Sequence, residues 1–107
     1  MPLDVQLAMA GNVAKITLAG ALDASTANQF KEVIEKAAAE KPARMVLFME
    51  RLEFMASAGL RVLIFAKQKM GAAGDIYVIG SQGPVRGTLE MSGFHHSVYI
   101  EDTYSGD

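Results

Sequence analysis

Cysteine is absent from this chain of 107 residues, which excludes disulfides, thiol catalysis and thiolate metal sites. Basic clusters are absent too: the ten lysines and arginines are spread along the chain, and the formal net charge is −2. This balance argues against nucleic acid or an anionic membrane surface as the main partner. No apolar run approaches the roughly 18 residues that cross a bilayer. Residues 1–4 lack the basic start of a signal peptide, so we expect a cytoplasmic protein.

The composition that remains is that of a folded domain. Half of the residues are hydrophobic and 21% are charged, which argues against disorder. A chain of this length forms one compact domain with a real core. We therefore predict a single domain over residues 1–107, with a loose C-terminal tail from about residue 102 to 107.

Hydrophobic periodicity predicts five strands and three helices in the order β-β-α-β-α-β-α-β. The first two strands are joined by a Gly-Asn link, which is typical of an antiparallel hairpin. The third strand is almost wholly apolar, as in a central strand covered on both faces, and a short charged link at 50–53 follows it. The order indicates an α/β domain, a mixed sheet with helices packed on it. The predicted strands are 5–9, 13–18, 44–49, 75–79 and 98–100, and the predicted helices are 23–40, 57–70 and 84–92.

The second helix has an apolar arc that includes Gly59, which predicts a close approach of helix and sheet. Phe65 falls on the side expected to face water, where it is either an anchor for a partner or an ordinary surface hydrophobe. Asp23, Ser25 or Thr26 is expected to cap the first helix, because each side-chain oxygen can accept a free backbone N–H.

Three motifs resemble those of the sulphate transporter and anti-sigma-factor antagonist (STAS) domain family. The stretch GALDAST at 20–26 resembles its G-x-L-D-x-x-T signature, and FMASAGL at 54–60 is similar to F-M-D-S-S-G-L. EMSGF at 90–94 resembles D-M-S-G-L near the third helix. Length and element order agree as well, so the resemblance covers essentially the whole chain.

The resemblance implies a bacterial regulator of transcription that acts by partner switching. Such a protein binds an anti-sigma factor of the histidine-kinase-like ATPase fold and frees a sigma factor. The kinase phosphorylates the serine that matches Ser57, which ends binding, and a PP2C-type phosphatase restores it. We expect no enzyme activity and no cofactor, and a monomer or weak dimer. The residues expected to bind the partner are Asp23, Ser25, Thr26, Met55, Ala56, Ser57, Ala58, Gly59, Arg61 and Phe65.

The chain departs from the family pattern near Ser57. Ala56 stands where the family has aspartate, Ala58 where it has serine or threonine, and Phe48 where it has aspartate or asparagine. Because alanine cannot cap a helix, Ser57 itself is expected to be the N-cap. The alternative function is therefore a STAS-type scaffold, or a module that binds a small ligand or lipid, whose switch has been lost.

Catalytic and metal sites have no support in the sequence. His95 and His96 are adjacent, and neighbouring side chains in a strand point apart, with no further ligand cluster beside them. No carboxylate pair or Ser-His-Asp arrangement stands in a recognisable motif. We expect neither catalytic residues nor metal ligands.

Overall fold

The computed structural model describes residues 2–105, and these form five strands, three α-helices and one short 3₁₀ turn. In chain order they are β1 (Leu3–Ala10), β2 (Val13–Leu22), α1 (Ala27–Ala39), β3 (Arg44–Met55), α2 (Ser57–Met70), β4 (Asp75–Ile79), α3 (Gly83–Ser92), the 3₁₀ turn (Phe94–His96) and β5 (Tyr99–Glu101).

The strands form one mixed sheet in the order β1-β2-β3-β4-β5. β1 and β2 pair antiparallel across a two-residue turn, where Gly11 has a φ of +63° that glycine adopts without strain. The pairs β2–β3, β3–β4 and β4–β5 are all parallel. The predicted fold class and element order are therefore confirmed.

The main hydrophobic core lies between one face of the sheet and the three helices. It takes every second residue of the strands together with the apolar stripe of each helix, as the two periodicities require. Each large side chain buried in this way stabilises the fold by about 1.5–3 kcal/mol relative to exposure. The largest fully buried side chains of this core are Phe30, Ile16, Leu18, Leu22, Ile34, Met45, Leu47, Met49, Met55, Leu63 and Ile76.

Within residues 2–105, no helix packs on the opposite face of the sheet. A second, smaller core on it is formed by Val13, Val46 and Ile79, with Phe48 and tyrosine rings packed around them. Tyr104 crosses this face: its ring stands edge-on to Phe48, with the ring centroids 6.3 Å apart. The predicted tail at 102–107 is thus held down at Tyr104, while Gly106 and Asp107 lie outside the described residues.

The link predicted at residues 50–53 is wrong, because β3 continues without a break to Met55. Two register shifts against β2 show that β3 carries extra residues as bulges in this half. β4 pairs with β3 only as far as Phe48, so in the described part of the chain the later half of β3 has a neighbouring strand, β2, on one side only. The charged residues Glu50, Arg51 and Glu53 are therefore exposed within a strand.

Other boundaries also differ from the prediction. β2 runs on to Leu22, and α1 begins at Ala27, four residues later than predicted from the sequence. Thr26 occupies the N-cap position of α1, but among the described residues no side chain forms a capping hydrogen bond with the helix. The N-cap residue of α3 is Gln82, and the buried hydroxyl of the preceding Ser81 has no hydrogen-bond partner among the described residues.

Gly59 lets α2 approach the sheet closely, as its place in the apolar arc predicts. A Cβ at this position would lie 2.5 Å from Cγ of Leu22 and 3.2 Å from Cγ of Met55. Both neighbours are buried, so neither side chain is free to move away. Because residue 59 has no side chain, the first turn of α2 can pack in direct contact with the end of β2.

Gly59→Ala is expected to lower the free energy of unfolding by about 1–3 kcal/mol, the usual cost of overpacking a core. The matched control is Gly87→Ala in α3, where a Cβ meets nothing within 4 Å. That change should raise stability by about 0.5–1 kcal/mol, since alanine favours a helix over glycine. Urea unfolding of the two variants measures both, and a stabilised Gly59→Ala protein would contradict the packing assigned here.

Candidate functional site

Two loops meet at the carboxyl ends of β2 and β3. The strands are adjacent and parallel, and Leu22 pairs with Met55 at their last position. The backbone N–H of Ala56 donates to the carbonyl of Leu22 at 2.9 Å, which ties the start of α2 to the end of β2. The loop that begins at Asp23 and the helix that begins at Ser57 therefore share one edge of the sheet.

Asp23 organises its loop by accepting hydrogen bonds. Its Oδ1 atom accepts from the Ser25 hydroxyl at 2.6 Å and from the Ser25 backbone N–H at 2.9 Å. The bond from the Ser25 side chain is the largest cause that lowers the pKa of Asp23 below its ordinary value of 3.8. The carboxylate thus stabilises a turn and is held in its charged form, in the loop that shares the sheet edge with the start of α2.

Thr26 joins the end of β2 to the start of α1. Its hydroxyl donates to the carbonyl of Ala21 and accepts from the backbone N–H of Asp23, both at 2.9 Å. The side chain is buried, and so is its bond to Ala21, whereas the bond from Asp23 is partly buried. Thr26 therefore forms hydrogen bonds with residues that precede it in the chain instead of capping α1. Its role is to hold the loop in place, and it is not part of the exposed surface of the site.

Ser57 is the first residue of α2, and the N-cap position belongs to Ala56. The prediction that Ser57 caps the helix is wrong, because β3 runs on to Met55 and places Ala56 at the turn. The Ser57 side chain is exposed, and Nη2 of Arg61 lies 3.5 Å from its hydroxyl oxygen. The Ser57 hydroxyl is therefore accessible to solvent. The guanidinium beside it belongs to Arg61, which lies one helical turn later in α2.

The first turn of α2 leaves two backbone donors free. The N–H groups of Gly59 and Leu60 both donate to the carbonyl of Ala56. Within residues 2–105, no hydrogen bond joins the N–H of Ser57 or of Ala58 to any acceptor. Free N–H groups at a helix N-terminus, together with the helix dipole, favour negative charge there.

The other predicted partner-binding residues divide by burial. Met55 and Gly59 are buried, so they support this surface from below. Ala56 and Ala58 are half-buried, whereas Ser25 and Arg61 are exposed. The exposed part of the predicted face is thus small and centred on Ser57.

Phe65 does not face water, so the prediction for this residue is wrong. It is half-buried against the main core, and Nζ of Lys31 in α1 lies 4.8 Å from its ring centroid. Nζ of Lys69 lies 5.5 Å from the same centroid. Because α1 packs alongside α2, the side of α2 that carries Phe65 is covered by α1 and two lysine side chains.

Sequence reasoning missed several exposed apolar residues. Phe54 and Ile64 are 45% and 43% exposed, and Met91 in α3 is 92% exposed. Between α2 and the 3₁₀ turn that follows α3 lies a groove of about 320 Å³ whose apolar lining includes Leu60, Ile64 and Phe94. In the sequence, Phe54 is an apolar residue directly after the charged residues at 50–53. Because β3 continues through these positions as a strand, the side chain of Phe54 is exposed to solvent.

His95 and His96 lie in the 3₁₀ turn, not in a strand, and their ring centroids are only 3.9 Å apart. Throughout the described part of the chain, no group of three or more histidine and acidic residues is arranged to hold a metal ion. Among these same residues, no helix has both the length and the apolar character needed to cross a bilayer.

Sequence comparison relates the chain to a known domain family. The STAS domain matches residues 4–106. The anti-sigma-F factor antagonist RsfB of Mycobacterium tuberculosis is 26% identical over 101 residues, which cover 94% of this chain and 83% of RsfB. BtrV of Bordetella bronchiseptica is 33% identical over 78 residues, which cover 72% of this chain and 67% of BtrV.

Solved structures share the fold. An anti-sigma factor antagonist from Mycobacterium paratuberculosis superposes with a TM-score of 0.88 at 20% identity, covering 95% of this chain and 87% of that one. The Bacillus protein SpoIIAA in its phosphorylated form superposes with a TM-score of 0.74 at 24% identity, covering 94% and 92%. At such identities the likeness concerns the fold alone.

Replacing Ser25 by alanine should raise the pKa of Asp23 back toward 3.8, because the largest stabilising hydrogen bond to the carboxylate is lost. In the parent protein the Asp23 carboxylate should remain charged below pH 3.8. The stability that its hydrogen bonds give to the folded state should be lost as the pH falls through the lowered pKa. NMR titration of the Asp23 carboxyl carbon measures both values. Equal values in the two proteins would contradict the assignment.

Thr26→Val should lower the free energy of unfolding by about 1–3 kcal/mol, because the Asp23 N–H and the Ala21 carbonyl both lose their partner. Thr26→Ser keeps the hydroxyl and is the control, with a smaller loss from the missing methyl group. Urea unfolding compares them. If valine were tolerated as well as serine, the buried hydroxyl would not join β2 to α1.

Proposed function

The chain belongs to the STAS domain family, and from this premise we propose that it is an anti-sigma-factor antagonist. It binds an anti-sigma factor of the histidine-kinase-like ATPase fold and thereby frees a sigma factor. The binding face consists of the Asp23 loop and the exposed start of α2. Phosphorylation of Ser57 by the bound kinase ends binding, and a PP2C-type phosphatase restores it.

The observation that carries this proposal is the position of Ser57. Its exposed hydroxyl stands at the first position of a helix, beside the loop of Asp23 and next to Arg61. RsfB, which matches nearly the whole chain, is named an antagonist of an anti-sigma factor. SpoIIAA, which shares the fold, is known in a phosphorylated form. Family, relatives and geometry thus support the same function.

The site explains how a phosphate would act on binding without unfolding the protein. Phosphorylation adds about −1.5 to −2 charges and three acceptor oxygens. The free N–H groups of Ser57 and Ala58, the helix dipole and the Arg61 guanidinium all favour such a charge. A partner that covers Ser57 would instead have to desolvate the phosphate, which weakens the complex.

The departures from the family pattern affect this switch unequally. Ala56 removes a carboxylate from the N-cap of α2, so no negative side chain in the first turn opposes a phosphate on Ser57. It also removes a polar group that would orient the hydroxyl toward a kinase. Phe48 lies on the helix-free face of the sheet against Tyr104, where its ring supports the second core. We therefore propose slower phosphorylation at an intact binding face.

A second candidate function is supported by the groove between α2 and the 3₁₀ turn. Its volume of about 320 Å³ is at the lower end of small-molecule sites, and Leu60, Ile64 and Phe94 make it apolar. A STAS module that binds a small apolar ligand or lipid would hold it there. Native mass spectrometry of the protein purified from its own cells distinguishes the two, because only this second function adds a ligand mass.

The partner is identified by capture from a lysate of the native cells on the immobilised chain, followed by mass spectrometry. Ser57→Asp should bind the captured anti-sigma factor at least about 10-fold more weakly, or about 1.4 kcal/mol. Its circular dichroism spectrum should match the parent, since the helix N-terminus accepts negative charge. The control is Ser105→Asp, which adds the same charge at another exposed serine.

Phosphorylation itself is tested with the purified anti-sigma factor and ATP. Transfer of one phosphate to the parent and none to Ser57→Ala is the expected result. If the parent stayed unmodified while a control antagonist was phosphorylated, the switch at Ser57 would be excluded and the binding function would stand. Equal affinity of parent and Ser57→Asp would exclude the binding face.

A further inference from the structure

The outer edge of β1 is a second surface of interest, separate from the site at Ser57. β1 is an outermost strand of the sheet and pairs with β2 over all eight of its residues without a bulge. Edge strands are usually protected by lysine, proline, bulges or short length, since their free backbone groups invite pairing. The other outermost strand, β5, has only three residues and ends at Glu101 beside Asp102. Along residues 5–9, β1 has none of these protections.

The hydrogen-bonding pattern identifies which backbone groups of β1 are free. Ala10 and Val13 flank the two-residue turn and exchange hydrogen bonds, and the carbonyl of Pro2 accepts from Ala21. Even-numbered residues of β1 therefore bond to β2, and odd-numbered residues direct their N–H and C=O groups outward.

At one end the free edge is closed. The carbonyl of Leu3 accepts a hydrogen bond from Nε2 of Gln29 at 2.8 Å, and at the other end the chain turns at Gly11. Three residues remain: within the described chain, no hydrogen bond joins the backbone of Val5, Leu7 or Met9 to another element. Their side chains lie on the helix side, where Val5 and Leu7 are half-buried and Met9 is 39% exposed.

We propose that β1 pairs antiparallel with β1 of a second copy of this chain, with a two-fold axis at Leu7. In this register Leu7 pairs with itself and Val5 pairs with Met9, so all three free residues exchange both of their backbone hydrogen bonds. Moving the axis to Val5 would require the carbonyl of Leu3, which Gln29 already holds. Moving it to Met9 would bring Leu7 opposite the turn at Gly11.

The side chains fit this register as well. On the helix side the apolar Val5, Leu7 and Met9 meet one another and become more buried, which favours association. On the helix-free side, Gln6 stands opposite Ala8 of the second copy, and Asp4 stands opposite Ala10. Asp4 is the one charged residue of β1, so no like charges face each other. The occupant that fits this edge is a second copy of the same chain, joined into a ten-stranded sheet.

Sedimentation velocity over a concentration series tests the proposal. The parent should shift reversibly from the chain mass of 11.5 kDa toward twice that value. The variant Gln6→Lys/Ala8→Lys places lysines opposite each other on the exposed side and should dimerise at least about 10-fold more weakly. Gln6→Glu/Ala8→Glu should be weakened likewise, and mixing the two variants should restore the dimer as a heterodimer.

Two controls make the result specific to β1. Met91→Lys/Ser105→Lys adds the same charge at exposed residues outside β1 and should dimerise like the parent. Since the chain has no cysteine, Gln6→Cys mixed with Ala8→Cys should form a mixed disulfide across the axis on oxidation. A parent that stays monomeric up to millimolar concentration would overturn the proposal. So would dimers that the lysine pair on β1 leaves unchanged, or a mixture that fails to form heterodimers.

Discussion

The parallel pairing of β2 with β3 is the constraint on which the rest of the structure depends. The two strands end together at Leu22 and Met55, and the N–H of Ala56 donates to the Leu22 carbonyl. Gly59 then seats α2 directly on the Leu22 side chain. The backbone hydrogen bond and the close contact both involve Leu22. Together they fix the position of the first turn of α2 relative to the sheet. The position of Ser57 relative to the Asp23 loop follows from this.

The residues of the candidate site divide into buried residues that position the two loops and exposed residues that form the surface. Leu22, Met55, Thr26 and Gly59 are buried and hold the two loops in place. Ser57 and Arg61 are exposed on that support, with free backbone donors in the first turn of the helix. A rigid base beneath a small exposed face fits the partner switching proposed above, in which a charge added at Ser57 would change the surface and leave the core in place.

The two faces of the sheet have different roles. All three helices cover one face and form the main core, whereas the other carries a small core covered by Tyr104. Arg44 donates to the Tyr104 hydroxyl at 3.0 Å, so the chain beyond β5 is attached to the start of β3. The open edge at β1 lies outside both cores, and its backbone groups are available to a second copy of the chain.

The sequence by itself determined the class of the fold, the order of its elements and the bounds of α2 and β4, because apolar periodicity and glycine or proline signals act locally. It also singled out Ser57, through the motif at 54–60, and Gly59, through its place in the apolar arc of the second helix. The later half of β3 could not be predicted, since its exposed charges depend on where β4 stops pairing. The burial of Phe65 depends on α1 lying beside α2, and the backward bonds of Thr26 depend on how far β2 extends. Ser57 became the first helical residue, rather than the cap, only because β3 reaches Met55. Tertiary structure decided these points because each depends on a neighbour that is distant in the chain.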